Sequence, residues 1–449
     1  MSKWISRIVG IVFIVGLIGV FAFVYNRYYF NDFAKAHRLG GKTSFYKESK
    51  SYCIDSSDYN DALFFKEISV EQNTPYKISC KIKTENVESD KPSTAGACIS
   101  LMDSVEQSVP IQGTTDWQEV TLLVDSKNAQ NLKISFRLGG YDGYSKGKAW
   151  FSDIHVEKGV KDPSKDWSVV CFLINNVDFN LNGTRYKYSL STEDKRLLRD
   201  NMARFADTCE DFSEGRMTVS YKVIEINEPL TSFSYDNENY YYATPDDVRS
   251  LIDGYVKENE YDHIFIGLRM GNTSTAIPVN EWIGLGSMRY DSIGFSDIRM
   301  PNDLQHSTMY KYDIRNDTFP EEVFVHEFLH SLERNQLERG FTFPALHDNE
   351  KFGYKSQAKS GLRDWYQKYM QCDIDSNIGK TGLDSSVYMT KPIHLSDFEY
   401  GSQEVEFEIV PHNFIDIIIQ FVDNFKKIIV EKSSTDNLKQ TNYVTVTTD

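Results

Sequence analysis

The chain has 449 residues, 40% of them hydrophobic and 25% charged, with 65 acidic against 49 basic side chains and a formal net charge of -16. This is the composition of a globular chain of about three structural units, and it excludes a mainly disordered, collagenous or many-pass membrane protein. The acidic balance also argues against nucleic acid as a partner, because a surface that binds phosphates has to be basic.

The first predicted element is a membrane anchor within residues 1–42. Residues 8–25 read IVGIVFIVGLIGVFAFVY without a charge. As a helix this run covers about 27 Å, close to the thickness of a hydrocarbon core. Trp4 on one side and Tyr25, Tyr28 and Tyr29 on the other suit the two interfaces. The run is long for a signal-peptide core and lacks a small-x-small cleavage pattern before Asn26. Basic residues flank it on both sides, so charge bias does not orient it. A signal-anchor with an extracellular C-terminal body is the simpler arrangement, giving a single-pass protein of the cell membrane. Residues 1–42 carry a net +5 and the remainder -21, so the external body attracts cationic rather than anionic partners.

Residues 43–160 show short runs with period-two alternation between turn residues, as in 76–83 (YKISCKIK), 117–124 (WQEVTLLV) and 132–138 (LKISFRL). No helical period interrupts them, which predicts an antiparallel β-sandwich. The strand order, the Asp116-Trp117 entry to one strand and the closing AWFSDI of residues 149–154 resemble carbohydrate-binding jelly rolls of the galactose-binding-like type. The resemblance implies a sandwich whose concave face or loops hold glycan, sometimes with a structural calcium ion. Trp117 and Trp150 are read here as core residues rather than as sugar-stacking platforms. Three cysteines (Cys53, Cys80, Cys98) fall in this region and three (Cys171, Cys209, Cys372) in the next. Odd sets do not make a disulfide framework, and buried small apolar side chains are the expected role.

From residue 161 to 403 strands and helices alternate. Residues 168–174, 218–226, 263–268 and 282–287 read as strands. Helices open at Ser191, with acidic residues in the first turn, and at Thr244, with Pro245 at the first helical position. The fold class expected for the whole chain is thus multidomain: a transmembrane helix, an antiparallel jelly roll and an α/β domain.

The α/β region contains the stretch TFPEEVFVHEFLHSLERN, residues 318–335. Thr318 and Glu321 have the spacing of a capping box, and Gly340 is placed to end the helix. Within it, His326 and His330 stand four residues apart, so both imidazoles leave the same side of a helix and can share one Zn²⁺. Glu327, beside the first ligand, is placed to act as general base. Phe324, Phe328 and Leu332 supply the apolar face such a helix needs. This motif, HEFLH, resembles that of the zincin metallopeptidases, and the resemblance extends over residues 166 to about 400.

The third ligand is left open between three side chains. The short metzincin pattern fails, because Glu333 and Gln336 occupy the positions where it has Gly and His. Downstream, His347 is the best zinc ligand by chemistry, with Asp348 and Glu350 as alternatives. Met389 and Met370 are candidates for a methionine turn beneath the metal, and Tyr388, Tyr369 and Tyr354 for stabilising an oxyanion. Glu333 shares a helical face with His326 and either orients a ligand or faces water.

Residues 404–449 include an apolar run interrupted by Asp416, Gln420, Asp423 and Asn424, too polar for a second span and expected to form a helix on the preceding domain. Taken together, the residues predict a membrane-anchored extracellular zinc endopeptidase that hydrolyses protein or glycoprotein substrates. The alternative is a surface carbohydrate-binding protein with a structural or weakly active zincin domain.

Overall fold

The computed structural model describes residues 34–38, 43–48, 50–102, 104–280, 283–303, 308–311, 319–355 and 361–405. The expected anchor at 8–25 and nearly all of the expected helical tail lie outside them. No helix among the described residues is long and apolar enough to cross a membrane.

Eight strands form the first unit: β1 (Ala34–Arg38), β2 (Thr43–Glu48), β3 (Ser51–Ser69), β4 (Pro75–Ser89), β5 (Ala95–Leu101), β6 (Gly113–Asp125), β7 (Asn131–Gly140) and β8 (Ser145–Lys158). All pair antiparallel. The long β3 belongs to two layers. Its first half pairs with β2 and β8, and its second half with β1 and β7, with the register shifting between Ser56 and Asn60. Such a strand turns the corner of a sandwich. One layer continues as β7–β5, the other as β8–β4–β6. Between them lies a core of Ile54, Phe64, Ile78, Ile99, Ile134, Phe136 and Phe151, with the Phe136 and Phe151 rings 5.9 Å apart.

Two expectations are corrected here. β1 belongs to the sandwich, although its residues were assigned to the segment before it. Trp117 and Trp150 are not core residues. Trp117 is 39% exposed, because its strand β6 ends the order of its layer. Trp150 is half-buried, its Nε1 donating to Glu48 at 2.8 Å.

The second unit begins with β9 (Asp166–Ile174) and the hairpin β10 (Asn176–Leu181) and β11 (Thr184–Ser189). Helix α1 (Thr192–Phe212) follows, with Ser191 and Asp194 forming a capping box. Next come β12 (Thr218–Ile226), the small hairpin β13 (Ser234–Tyr235) and β14 (Tyr241–Tyr242), then α2 (Pro245–Asn259), β15 (His263–Leu268), β16 (Gly284–Tyr290) and β17 (Ile293–Arg299). A five-stranded sheet runs β12-β9-β15-β17-β16, parallel except for the edge strand β16. The interior strand β9 is apolar on both sides, as a parallel strand covered on both faces must be. Val169, Cys171 and Leu173 face one core; Val170, Phe172 and Ile174 face the other.

The first of these cores is closed by α1, by α3 (Glu322–Leu337) and by α4 (Leu362–Gln371); α2 closes the second. Helix α3 carries the HEFLH motif and starts later than its sequence suggests. Glu321 is at its N-cap without a side-chain capping bond, because its carboxylate accepts from Thr208 of α1 at 2.9 Å instead. Thr318 lies outside the described residues. Gly340, at φ +81°, stands after the helix end in the left-handed region that glycine adopts freely.

Short strands β18 (Ile374–Ser376) and β19 (Gly379–Thr381) pair with each other, and β20 (Gln403–Val405) returns to pair with β8 of the sandwich. The start of the expected helical tail is therefore a strand. Charges also join the two units. Asp125 holds Lys161 at 2.8 Å and Arg339 at 2.7 Å, while Glu338 holds Lys127 at 2.7 Å and Arg289 at 2.6 Å. All six cysteines are free, five of them buried and Cys372 half-buried.

Candidate metal centre

Helix α3 buries Val323, Phe324, Val325, Phe328, Leu329 and Leu332 against the sheet and α1. This face fixes the roll of the helix, and His326 and His330 follow from it on a side left free for another segment. The chain supplies that segment as the 3-10 turn Leu346–Phe352, which carries His347. The candidate ligand atoms of His326, His330 and His347 all lie within 4.8 Å of one another. Their ring centroids stand 4.8, 4.9 and 5.0 Å apart, a nearly regular triangle. The Nε2 atoms of His330 and His347 are 3.2 Å apart, close to the roughly 3.3 Å between two nitrogens that share one tetrahedral zinc ion.

The second ring nitrogens of His326 and His330 are held. Tyr366 of α4 donates its hydroxyl proton to Glu322 at 3.1 Å, so at 3.0 Å from His326 Nδ1 the same oxygen accepts. Glu333 lies 3.0 Å from His330 Nδ1 and, as a carboxylate, also accepts. Both imidazoles of the motif are thereby set in the tautomer that leaves Nε2 as a lone-pair donor. Burial, reinforced by the neighbouring imidazoles, pushes the pKa of His326 down to about 3, and that of His347 is lowered by burial first as well. Neutral imidazole is the form a metal ion requires. The donor set, its spacing and the tautomers of His326 and His330 fit zinc.

Asp348 and Glu350 do not enter this cluster. Asp348 pairs with Lys351 at 2.5 Å and takes the backbone N–H of Ala345, while Glu350 is exposed on the same turn. The oxyanion candidates are engaged elsewhere: Tyr388 donates to the carbonyl of Met370 at 2.6 Å, Tyr369 to that of Pro344 at 3.0 Å, and Tyr354 packs on Trp365. Met389 is 42% exposed and Met370 is buried in the core shared by α3 and α4, so Met389 does not form an apolar floor.

Glu327 is buried and turned toward the edge strand β16. Burial pushes its pKa up to about 8, the nearby Asp297 adds to the rise, and a hydrogen bond from the Gly286 backbone opposes it. The approach depends on two glycines. A Cβ at Gly284 would lie 2.5 Å from Glu327 Oε1, and one at Gly286 would lie 2.7 Å from the Glu327 carbonyl oxygen. These glycines, together with Tyr366 and Glu322, are positions around the cluster that motif reading passes over. Gly-Leu-Gly inside a strand pattern is a detectable sign of close backbone approach. Tyr366 lies 36 residues beyond His330 with no local signal.

No protein-family model matches the chain, and no curated protein matches it. Solved structures with partial likeness include one described as "CBM4 structure and function", at 18% identity over 28% of this chain and 86% of the other, TM-score 0.23. A second is the CBM22-1-GH10 portion of xylanase 10B from Clostridium thermocellum, at 12% identity over 32% and 31% of the two chains, TM-score 0.20. A third is the carbohydrate-binding module CBM6cm-2 of Cellvibrio mixtus lichenase 5A, at 9% identity over 27% and 92%, TM-score 0.18. Likenesses this distant touch a quarter to a third of the chain and carry no weight for its chemistry.

Proposed function

We propose that the chain is a membrane-anchored extracellular zinc-dependent endopeptidase acting on protein or glycoprotein substrates. The observation that carries this reading is the convergence of three imidazoles from one helix and one distant turn, with the buried carboxylate of Glu327 next in sequence to the first of them. His326, His330 and His347 would hold the ion. Zinc in such a site supplies Lewis acidity toward water and toward a carbonyl oxygen. Glu327 takes a proton from the attacking water and returns it to the leaving amine. Its raised pKa suits both halves of that exchange near neutral pH, where a general base works best. The outer partners Tyr366 and Glu333 keep the imidazoles oriented, so no tautomer has to change when the ion enters.

The test is zinc content of the purified full chain together with chelator-sensitive cleavage of a peptide library, repeated with Glu327→Gln. Stoichiometric zinc in both proteins is expected, with cleavage reduced at least about 100-fold in the variant. Absence of zinc from the native chain would overturn the site, and equal cleavage by the variant would remove Glu327 from the chemistry.

A second reading, a surface glycan-binding protein, is favoured by one observation: Trp117 and Tyr141 of the sandwich are solvent-exposed, at 39% and 63%. Aromatic faces left in water are what pyranose rings stack on. Zinc without cleavage, together with retention on a glycan array that Trp117→Ala abolishes, would make this the main activity.

A further inference from the structure

We propose that Glu333 and one face of helix α4 form a clasp that presets all three imidazoles for a divalent cation, a role that rests on the metal-binding reading above. Eight residues, 338–345, lie between the end of α3 and the turn that carries His347, and His347 itself is exposed. A third ligand on a free loop of that length would have to be ordered by the cation itself, at a cost in affinity. The structure removes most of that freedom through one carboxylate and three aromatic side chains.

Glu333 lies one helical turn after His330, so the two side chains meet. Its oxygens divide the work. Oε2 faces His330 Nδ1 at 3.0 Å, and Oε1 accepts the backbone N–H of Leu346 at 2.9 Å, one residue before His347. A single side chain thus orients the second ligand and ties down the turn that brings the third. On α4, Trp365 Nε1 donates to the carbonyl of the same Leu346 at 2.9 Å, and Tyr369 donates to that of Pro344 at 3.0 Å. Tyr366, between them, holds His326 Nδ1 at 3.0 Å. All three aromatic residues are buried. His326 is thus touched by α4 and His330 by Glu333, while His347 is reached through the backbone before it, with Leu346 gripped at both its N–H and its carbonyl.

Glu333 and Tyr366 are positioning residues on this account, since they act through the imidazoles. Gln at 333 keeps the size but has one acceptor oxygen, so it serves His330 or Leu346 and not both. Full-length protein is stripped of metal and titrated with Zn²⁺ against a competing chelator, then with Co²⁺ while its visible absorption bands are recorded. Glu333→Gln is expected to weaken Zn²⁺ binding about 10- to 100-fold and to shift the Co²⁺ bands, with the metal-free far-UV circular dichroism unchanged. Tyr366→Phe is expected to weaken binding less, and it carries the test if Glu333→Gln does not fold. Affinity within twofold of native and an unshifted Co²⁺ spectrum in the folded variants would overturn the clasp while leaving the metal site standing. A native protein that binds neither ion would sink the metal reading itself, and the clasp with it.

Discussion

The sandwich core and the surroundings of helix α3 both bury ionisable side chains, and they treat them in opposite ways. In the sandwich, Asp61 and Arg137 meet in a two-pronged ion pair across β3 and β7, each below a tenth exposed. Each charge is answered, so the pair serves the fold. In the α/β unit, Glu327 and Asp297 are buried near each other, and burial pushes them up to about 8 and about 7. His326 is half-buried among other imidazoles, and its pKa is pushed down to about 3. Here ionisation is resisted rather than compensated, which is the condition under which a group exchanges protons or accepts a cation. The contrast teaches that burial alone does not mark a functional site; the nature of the partner does.

The largest effect that could break this contrast is expected from His330→Ala. Removing one of three ligands should lower zinc affinity by roughly 1000-fold or more, measured by chelator competition. Thermal unfolding of the metal-free protein should hardly move, because His330 lies off the packed face of α3. A metal-free protein that melts far lower would mean that the histidines are structural, like the sandwich pair.

Next in size is Asp61→Leu, which leaves Arg137 buried without its partner. Such a break costs about 3–5 kcal/mol, read from denaturant unfolding of the full chain, with zinc stoichiometry unchanged. Loss of zinc alongside the loss of stability would show that the two units do not separate as cleanly as their chemistry suggests.

Gly286→Ala should cost about 1–3 kcal/mol, since the added methyl meets the backbone of Glu327. Unlike Asp61→Leu, it should also reduce peptide cleavage, because the carboxylate shifts with its helix. Unchanged cleavage in a folded variant would detach β16 from the chemistry.

The smallest effect concerns the join between the units. Asp125 is half-buried, and its loss of solvent by itself raises its pKa, yet Lys161 and Arg339 hold it below the usual carboxylate value. A carboxyl depressed in the folded state stabilises fully above its unfolded pKa of about 4, and the contribution is lost as pH falls through the folded value. Thermal midpoints of the native chain should therefore fall from pH 5 to pH 3 by more than those of Asp125→Asn. Parallel curves would count against the charged join.

Much of both units can be read from local pattern. Alternation in 76–83 and 117–124 predicts strands β4 and β6, and Ser191 and Thr244 mark the starts of α1 and α2. The reading of Trp117 and Trp150 as core residues goes astray because alternation tells which residues share a face, and not whether that face is covered. Trp150 alternates with the core residues Ala149 and Phe151 and so points to the outer face of its layer, and β6, which carries Trp117, ends the order of that layer. Residues 403–405 go astray for a related reason: pairing with β8 is a contact across some 250 positions, invisible to any short window.

Alone, the sequence determined the helical pair His326 and His330 with Glu327 beside it, because a spacing of four residues on a helix is a local geometric fact. It also determined the apolar face that seats that helix. Only the tertiary structure decided among His347, Asp348 and Glu350 as the residue that joins the pair, because the choice depends on which side chain the turn 346–352 points toward α3. It alone brought Tyr366 to His326 and gave Glu333 both a ligand and the Leu346 N–H to hold. The physical reason is one of range: periodicity constrains neighbours a turn apart, whereas a metal site closes over tens of residues through packing and backbone hydrogen bonds that no local pattern encodes.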